Sequence, residues 1–378
     1  MLGIMINQAI NKPEVVVDLK VSERAPQMTL EMAACPTNER NVSSILWDIS
    51  YATYVSRIVG MASPRDLGPS PGSRIGEMIF KFLRCGLLLL ISSTSLAQSH
   101  VGQPSVNLGD TTFLDGVAGP GWVVEEIGDG AHEGKVVDGT GQSISGAGAV
   151  NSISQLTHIA WITHKRFLGG WFGTEIVEVA AHVNAGGAGE SGGFGEFTVS
   201  PLILQWGKRK IGNLPIYQRV VFDFELPVGA YSRSSAVNIN ANEFTVHPYY
   251  AVTAFPLKRM ETSWRVHYLW NSANNSPPFA TGARSTQAGQ AIHFNATAAY
   301  KFGKHLWIGP NAYYLRQITD GRINGSPIPN SPEQVGAIGP GMVWNTGKWF
   351  FYANGYHELG VKNRPEGDKL VLRVEKVF

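Results

Sequence analysis

From residue 154 onward, apolar and polar side chains alternate with a period of two in one segment after another. Residues 217–226 show it most cleanly. Val220, Phe222, Phe224 and Leu226 point one way; Arg219, Val221, Asp223 and Glu225 point the other. That period is the pleat of a β-strand, where successive side chains take opposite faces. Residues 154–166, 172–183 and 194–206 read the same way, with Val177, Val179 and Val183 set opposite Glu178 and His182. In 244–255, Phe244, Val246, Tyr250 and Val252 oppose Thr245, His247, Tyr249 and Thr253. In 263–271, Trp264, Val266, Tyr268 and Trp270 oppose Arg265 and His267. In 291–302, Ile292, Phe294, Ala296, Ala298, Tyr300 and Phe302 oppose His293, Asn295, Thr297 and Lys301. Strands over 306–319, 335–345, 349–359 and 370–378 complete the series, and 121–127 supplies a short first one. The stretch 128–151 is rich in Gly and Ser and reads as a loop.

Alternation alone fits a soluble sandwich with one wet face, or a membrane barrel whose polar face lines the lumen. The connections decide between them. Segments 166–171, 207–214, 255–263, 303–305 and 345–348 are short. Segments 228–243, 271–290, 319–334 and 359–369 are longer and rich in Gly, Pro and Asn. Long and short alternate, so every long loop falls on one rim. Short periplasmic turns and longer external loops are the outer-membrane pattern. The sequence therefore predicts an all-β, transmembrane, antiparallel up-and-down barrel of about 12 strands. Residues 108–121 become a periplasmic lead-in.

Residues 78–97 set the compartment. Lys81 and Arg84 precede a short apolar run, and Ser95-Leu96-Ala97 places small residues at a cleavage site. This is the layout of a secretory signal peptide. Residues 1–77 then precede a signal peptide, as an over-extended reading frame or a disordered extension would, and they are set aside. The barrel is assigned to 98–378. Both cysteines, Cys35 and Cys85, lie upstream, so the secreted part has no disulfide framework. After Ala97 basic and acidic residues nearly balance, which gives no footprint for nucleic acid. Outer-membrane lipid is the expected surroundings.

Trp206, Trp270, Trp307, Trp344, Trp349, Phe350 and Phe351 sit near strand ends, where aromatic girdles form. The chain ends on Phe378 after alternating Leu370, Leu372 and Val374. A terminal aromatic on such a strand resembles the signal read by the barrel-assembly machinery; Lys376 departs from it. Three stretches carry a family resemblance: 200–206 (SPLILQW), 224–231 (FELPVGAY) and 363–370 (NRPEGDKL), with 337–340 (AIGP) beside them. They resemble the outer-membrane family named for the meta-cleavage (MetA) pathway of phenol degradation. The resemblance covers roughly 193–378. It implies an outer-membrane barrel that admits small hydrophobic or aromatic compounds.

For a channel, the candidates to line the lumen and set selectivity are Glu178, His182, Arg219, Asp223, Glu225, His247, Tyr249, Arg265, His267 and His293. Tyr249 and Tyr313 are the aromatic candidates for solute contact. The external-loop motif Asn363, Arg364, Pro365, Glu366, Gly367 and Asp368 reads as an ion-paired turn that fixes the closing strand, or as an inward latch. The alternatives are an outer-membrane lipid hydrolase and a structural surface barrel. The hydrolase has no nucleophile motif, although His267 with Ser263 and His293 with Asn295 supply residue types it needs. No cofactor is expected. No metal site is expected either: calcium or zinc ligand spacing is lacking, His158 and His164 share a strand face but lie too far apart for one ion, and no cysteine helps.

Overall fold

In the computed structural model, residues 101–378 are described. The expected extension 1–77 and the expected signal peptide 78–97 lie outside them.

Twelve antiparallel strands close into a barrel. They are β1 (Gly121–Val137), β2 (Val150–Phe167), β3 (Gly170–Asn184), β4 (Glu190–Ile211), β5 (Leu214–Leu226), β6 (Thr245–Val246 and Tyr249–Leu257), β7 (Met260–Asn271), β8 (Ala291–Phe302), β9 (Leu306–Gln317), β10 (Gln334–Asn345), β11 (Trp349–Lys362) and β12 (Arg364–Val377). Each pairs with its sequence neighbour, and β12 pairs back onto β1, from Val377 opposite Val123 to Arg364 opposite Val137. β6 breaks at His247-Pro248, where proline cannot donate to the ladder. Pro201 in β4 sits where the register shifts against β3 and β5, again at a bulge.

The outer face carries exposed Trp122, Trp161, Phe222, Trp264, Ile292, Ile338, Trp344, Leu370 and Leu372. In a barrel this apolar band meets hydrocarbon while closure satisfies every strand edge. Trp122 and Trp161 stack at 5.5 Å, and Trp344 lies 5.5 Å from Phe351, near the periplasmic rim. Trp307 departs from the expected girdle: it faces inward and is 5% exposed. Lys376 lies over the rings of Trp349 and Phe378 at 4.8 and 4.5 Å, so its charge is accommodated beside the terminal aromatic.

Three expectations are corrected. The first strand runs to Val137 rather than ending at 127. Its upper half was hidden because the outward positions are Gly128 and Gly130, while Asp129, Ala131 and Glu133 point inward. Residues 359–369 form no long loop. β11 and β12 continue through them and turn at Asn363 alone, which has φ 53°. Residues 108–121 are no periplasmic lead-in; 108–116 lie inside the barrel, as described below, and 117–120 lead to the first strand.

The motif 363–370 is therefore mostly strand. Arg364 and Pro365 are buried, Glu366 pairs with Lys135 at 2.8 Å, and Asp368 meets His357 at 2.8 Å on the exposed face. Gly367 sits opposite a bulge between His132 and Lys135. A Cβ there would overlap the His132 carbonyl oxygen and Glu133 Cα. We expect Gly367→Val to disrupt closure and sharply lower the folded fraction seen by heat-modifiable electrophoresis. Gly128→Ala, where a Cβ meets nothing within 4 Å, should fold normally.

Candidate functional site: an occluded lumen

Residues 101–120 thread the lumen from the loop rim down to the start of β1. At the upper end Gln103 is fully buried. Its Nε2 donates to the Gly289 carbonyl (2.7 Å) and Gln317 Oε1 (2.8 Å), and its backbone N–H to Glu333 Oε1 (2.9 Å). Lower down, Val106 and Leu108 pack with Ile127, Leu269, Tyr313, Leu315 and Val371 of the inner wall. Lys369 Nζ holds the Leu108 carbonyl (2.9 Å), Asp110 (2.6 Å) and Asp129 (3.1 Å). Gly109 takes φ 83°, and its N–H donates to Asn295. A side chain there would strike the Tyr356 ring. Phe113 packs with Ala299, Trp307, Val343 and Tyr352. At the lower end Asp115 accepts from Arg265 Nε (2.7 Å) and Nη2 (2.5 Å) and from Arg219 Nη2 (3.1 Å). Gly116 is held by Thr253 and Gln205.

This segment leaves a cavity on one side. It is small, about 100 Å³, and lies between the plug and the walls of β1–β7. Val106, Ile127, Leu156, Val177 and Val179 supply apolar surface; Thr198, His158, Glu175, Asp223, Glu225 and His247 supply polar groups. The polar groups are largely paired. His158 lies between Glu125 (3.0 Å) and Glu175 (3.2 Å), Tyr249 Oη donates to Glu175 (3.1 Å), and Ser200 donates to Asp223. Arg373 bridges Glu125 and Glu375. Further buried ion pairs, Arg364 with Glu333 and Lys369 with Asp110 and Asp129, stand elsewhere on the inner wall. Among groups outside the strands, burial pushes the Glu243 carboxyl well above its ordinary range. Backbone N–H donors, Gln142 first, hold Asp138 below it in the β1–β2 loop.

Eight of the ten proposed lumen residues face inward and are buried: Arg219, Asp223, Glu225, His247, Tyr249, Arg265, His267 and His293. Glu178 and His182 do not. They lie exposed on the outer side of β3, while Val177, Val179 and Val183 point in. The apolar residues of this strand serve the cavity and, around Val183, a second apolar cluster with Val237 and Ile239 of the folded-in β5–β6 loop. Glu126 lies on the same outer side, accepting from Gln155 (3.0 Å) and Thr157 (3.1 Å). Tyr313 faces inward and donates to Glu358 (2.7 Å) rather than lining the cavity. Arg364 of the 363–368 motif also turns inward, to Glu333 (2.6 Å). Asp110, Asp115, Glu125, Glu175, Lys369 and Arg373 escaped the sequence reading. The first two lie in a segment without periodicity; Lys369 was assigned to a loop.

The hydrolase pairings do not form. Ser263 Oγ donates to Glu261 (2.7 Å), Asn295 binds the plug, and His267 makes no side-chain hydrogen bond.

The family model described as "Putative MetA-pathway of phenol degradation" matches residues 134–374. The chain belongs to this family. No curated protein matches it. Among solved structures, the COG4313 outer membrane channel from Pseudomonas putida F1 superposes with a TM-score of 0.62 at 15% identity, over 72% of this chain and 100% of that one. The KdgM porin (TM-score 0.34, 12% identity, 68% and 99% covered) and a mutant of the TodX monoaromatic hydrocarbon channel (0.39, 8%, 75% and 98%) share less of the fold. The family member described here is an outer-membrane β-barrel, located by its closed strands and apolar belt.

Proposed function

We propose that this barrel is a channel that admits small, mainly apolar molecules, with phenol-class aromatics as the best fit, past a plug formed by its own N-terminal segment. The cavity between plug and wall carries the reading. Its apolar side from Val106, Ile127, Leu156, Val177 and Val179 suits a ring, and the facing polar row suits one hydroxyl. A phenol-degradation family supports the same chemistry. The protein acts without catalysis in this reading. The strand ending at Phe378, whose N–H donates to the Trp122 carbonyl at 2.9 Å, is the element offered to the barrel-assembly machinery.

Uptake of labelled phenol from dilute solution, by a Gram-negative host expressing the protein, tests this. Val177→Trp fills the cavity from the wall. We expect the variant to fold and lose most of the added uptake. Equal uptake by wild type and Val177→Trp contradicts the assignment.

A further inference from the structure

Three histidines from adjacent strands meet inside the lumen. His267 of β7 and His293 of β8 are direct cross-strand partners. His247 lies in the break of β6, two residues before Tyr249, which pairs with His267. Ring centroids are 4.1 Å apart for His267 and His293, 4.6 Å for His247 and His267, and 5.1 Å for His247 and His293. One ring nitrogen from each lies within 4.8 Å of the others.

This arrangement is costly as mere packing. All three side chains are buried, with 4%, 2% and 0% exposure for His247, His267 and His293. Both ring nitrogens of His267, and Nδ1 of His293, have no hydrogen-bond partner. Buried polar atoms left unsatisfied are destabilising, and Phe or Leu fills such a space without them. His247 is different. Its Nδ1 lies 2.5 Å from Glu225 Oε1, and its Nε2 lies 2.9 Å from His293 Nε2. A carboxylate on one ring nitrogen, with the other turned to a shared point, is how metal-binding histidines are oriented.

We propose that His247, His267 and His293 bind a first-row transition-metal ion of the zinc class inside the barrel. Three neutral imidazoles are a donor set that suits zinc and its neighbours. Zinc–nitrogen bonds of about 2.0–2.1 Å in tetrahedral geometry place two donors about 3.3 Å apart. The His247–His293 contact therefore opens slightly. His267, held by no hydrogen bond, tilts away from its stack with His293, where the rings are 12° from parallel. The proton that His293 Nε2 shares with His247 moves to its free Nδ1. Glu225 and Asp223 on the same wall favour a cation, and the guanidinium of Arg265 is turned to Asp115 at 2.5 Å. His247 and His267 also border the cavity, so the fourth coordination position opens towards it.

The test uses the full chain, untagged, with Cys35→Ser and Cys85→Ser so that imidazole nitrogens report rather than thiolates. After chelator treatment, refolded protein is dialysed against Zn²⁺, and Co²⁺ is added in parallel as an optical probe. We expect one tightly held ion per chain and the intense visible bands of four- or five-coordinate cobalt. His267→Gln should weaken binding on the order of a hundredfold, and Glu225→Gln about 10–100-fold. His132→Gln, an exposed histidine elsewhere, should leave it unchanged. Because the wild type is measured directly, a misfolded variant does not rescue the idea. Less than one ion per wild-type chain, a hexaaquo-like cobalt spectrum, or equal affinity in folded His267→Gln overturns the proposal.

Discussion

Deleting residues 101–118 turns an occluded barrel into a conducting one. In planar bilayers the single-channel conductance of the deleted protein should rise on the order of tenfold or more, since a lumen filled by protein conducts little. The segment fills the lumen from Gln103 at the loop rim to Asp115 and Gly116 near the opposite one, with Leu108 and Phe113 packed into the apolar clusters of the inner wall. It also carries Asp110 and Asp115 and no basic residue. Arg219, Arg265 and Lys369 then face water with fewer carboxylates beside them, so the open pore should favour anions more than the intact protein does. The barrel itself should persist, because closure of β12 on β1 does not involve the plug. Unchanged conductance with intact heat-modifiable mobility would refute the occlusion.

Asp115→Ala should cost more stability than any other single change in the plug. Its carboxylate, 3% exposed, is shared by two guanidiniums at 2.5–3.1 Å. Removing one partner of a buried ion pair costs about 3–5 kcal/mol, because the remaining charge stays desolvated. Here two charges lose their partner together, and water reaches them only if the lower plug detaches. Thermal unfolding, followed by electrophoretic mobility, should therefore shift down clearly, accompanied by intermittent conducting events. Asp110→Ala is the informative comparison. Lys369 keeps Asp129 at 3.1 Å, so the loss should be smaller. Equal effects of the two substitutions would mean that the arginine pair does not hold the plug.

The barrel was legible because lipid enforces it. Along β5, β7 and β8 each outward position meets hydrocarbon and each inward one meets a charged lumen, so the period of two is unbroken at Phe222, Phe224, Val266 and Phe294. The same rule failed in β3. There Val177, Val179 and Val183 face an apolar cavity and a folded-in loop, and Glu178 and His182 take the outer side. A polar-in rule then assigns the wrong face. Register shifts on both sides of Glu178 add to the error. The plug was hidden for another reason. Residues 101–120 have no regular structure, and their partners Arg219, Arg265, Asn295 and Lys369 lie more than a hundred residues away. The histidine cluster was hidden likewise. Its members come from β7, β8 and the break in β6, and only the barrel's register brings them to one level.

The central claim is that residues 101–120 lie within the barrel, and cross-linking tests it most directly. The chain after Ala97 contains no cysteine. Asn107 Oδ1 accepts from Asn295 Nδ2 at 2.8 Å, joining the plug to β8 across 188 residues. Protein starting at Gln98 with Asn107→Cys and Asn295→Cys, folded and treated with a short bifunctional thiol reagent, should give a cross-linked species in high yield. Each single-cysteine variant should give none. Folded double-cysteine protein that fails to cross-link would place residues 101–120 outside the lumen and remove the basis for the plug.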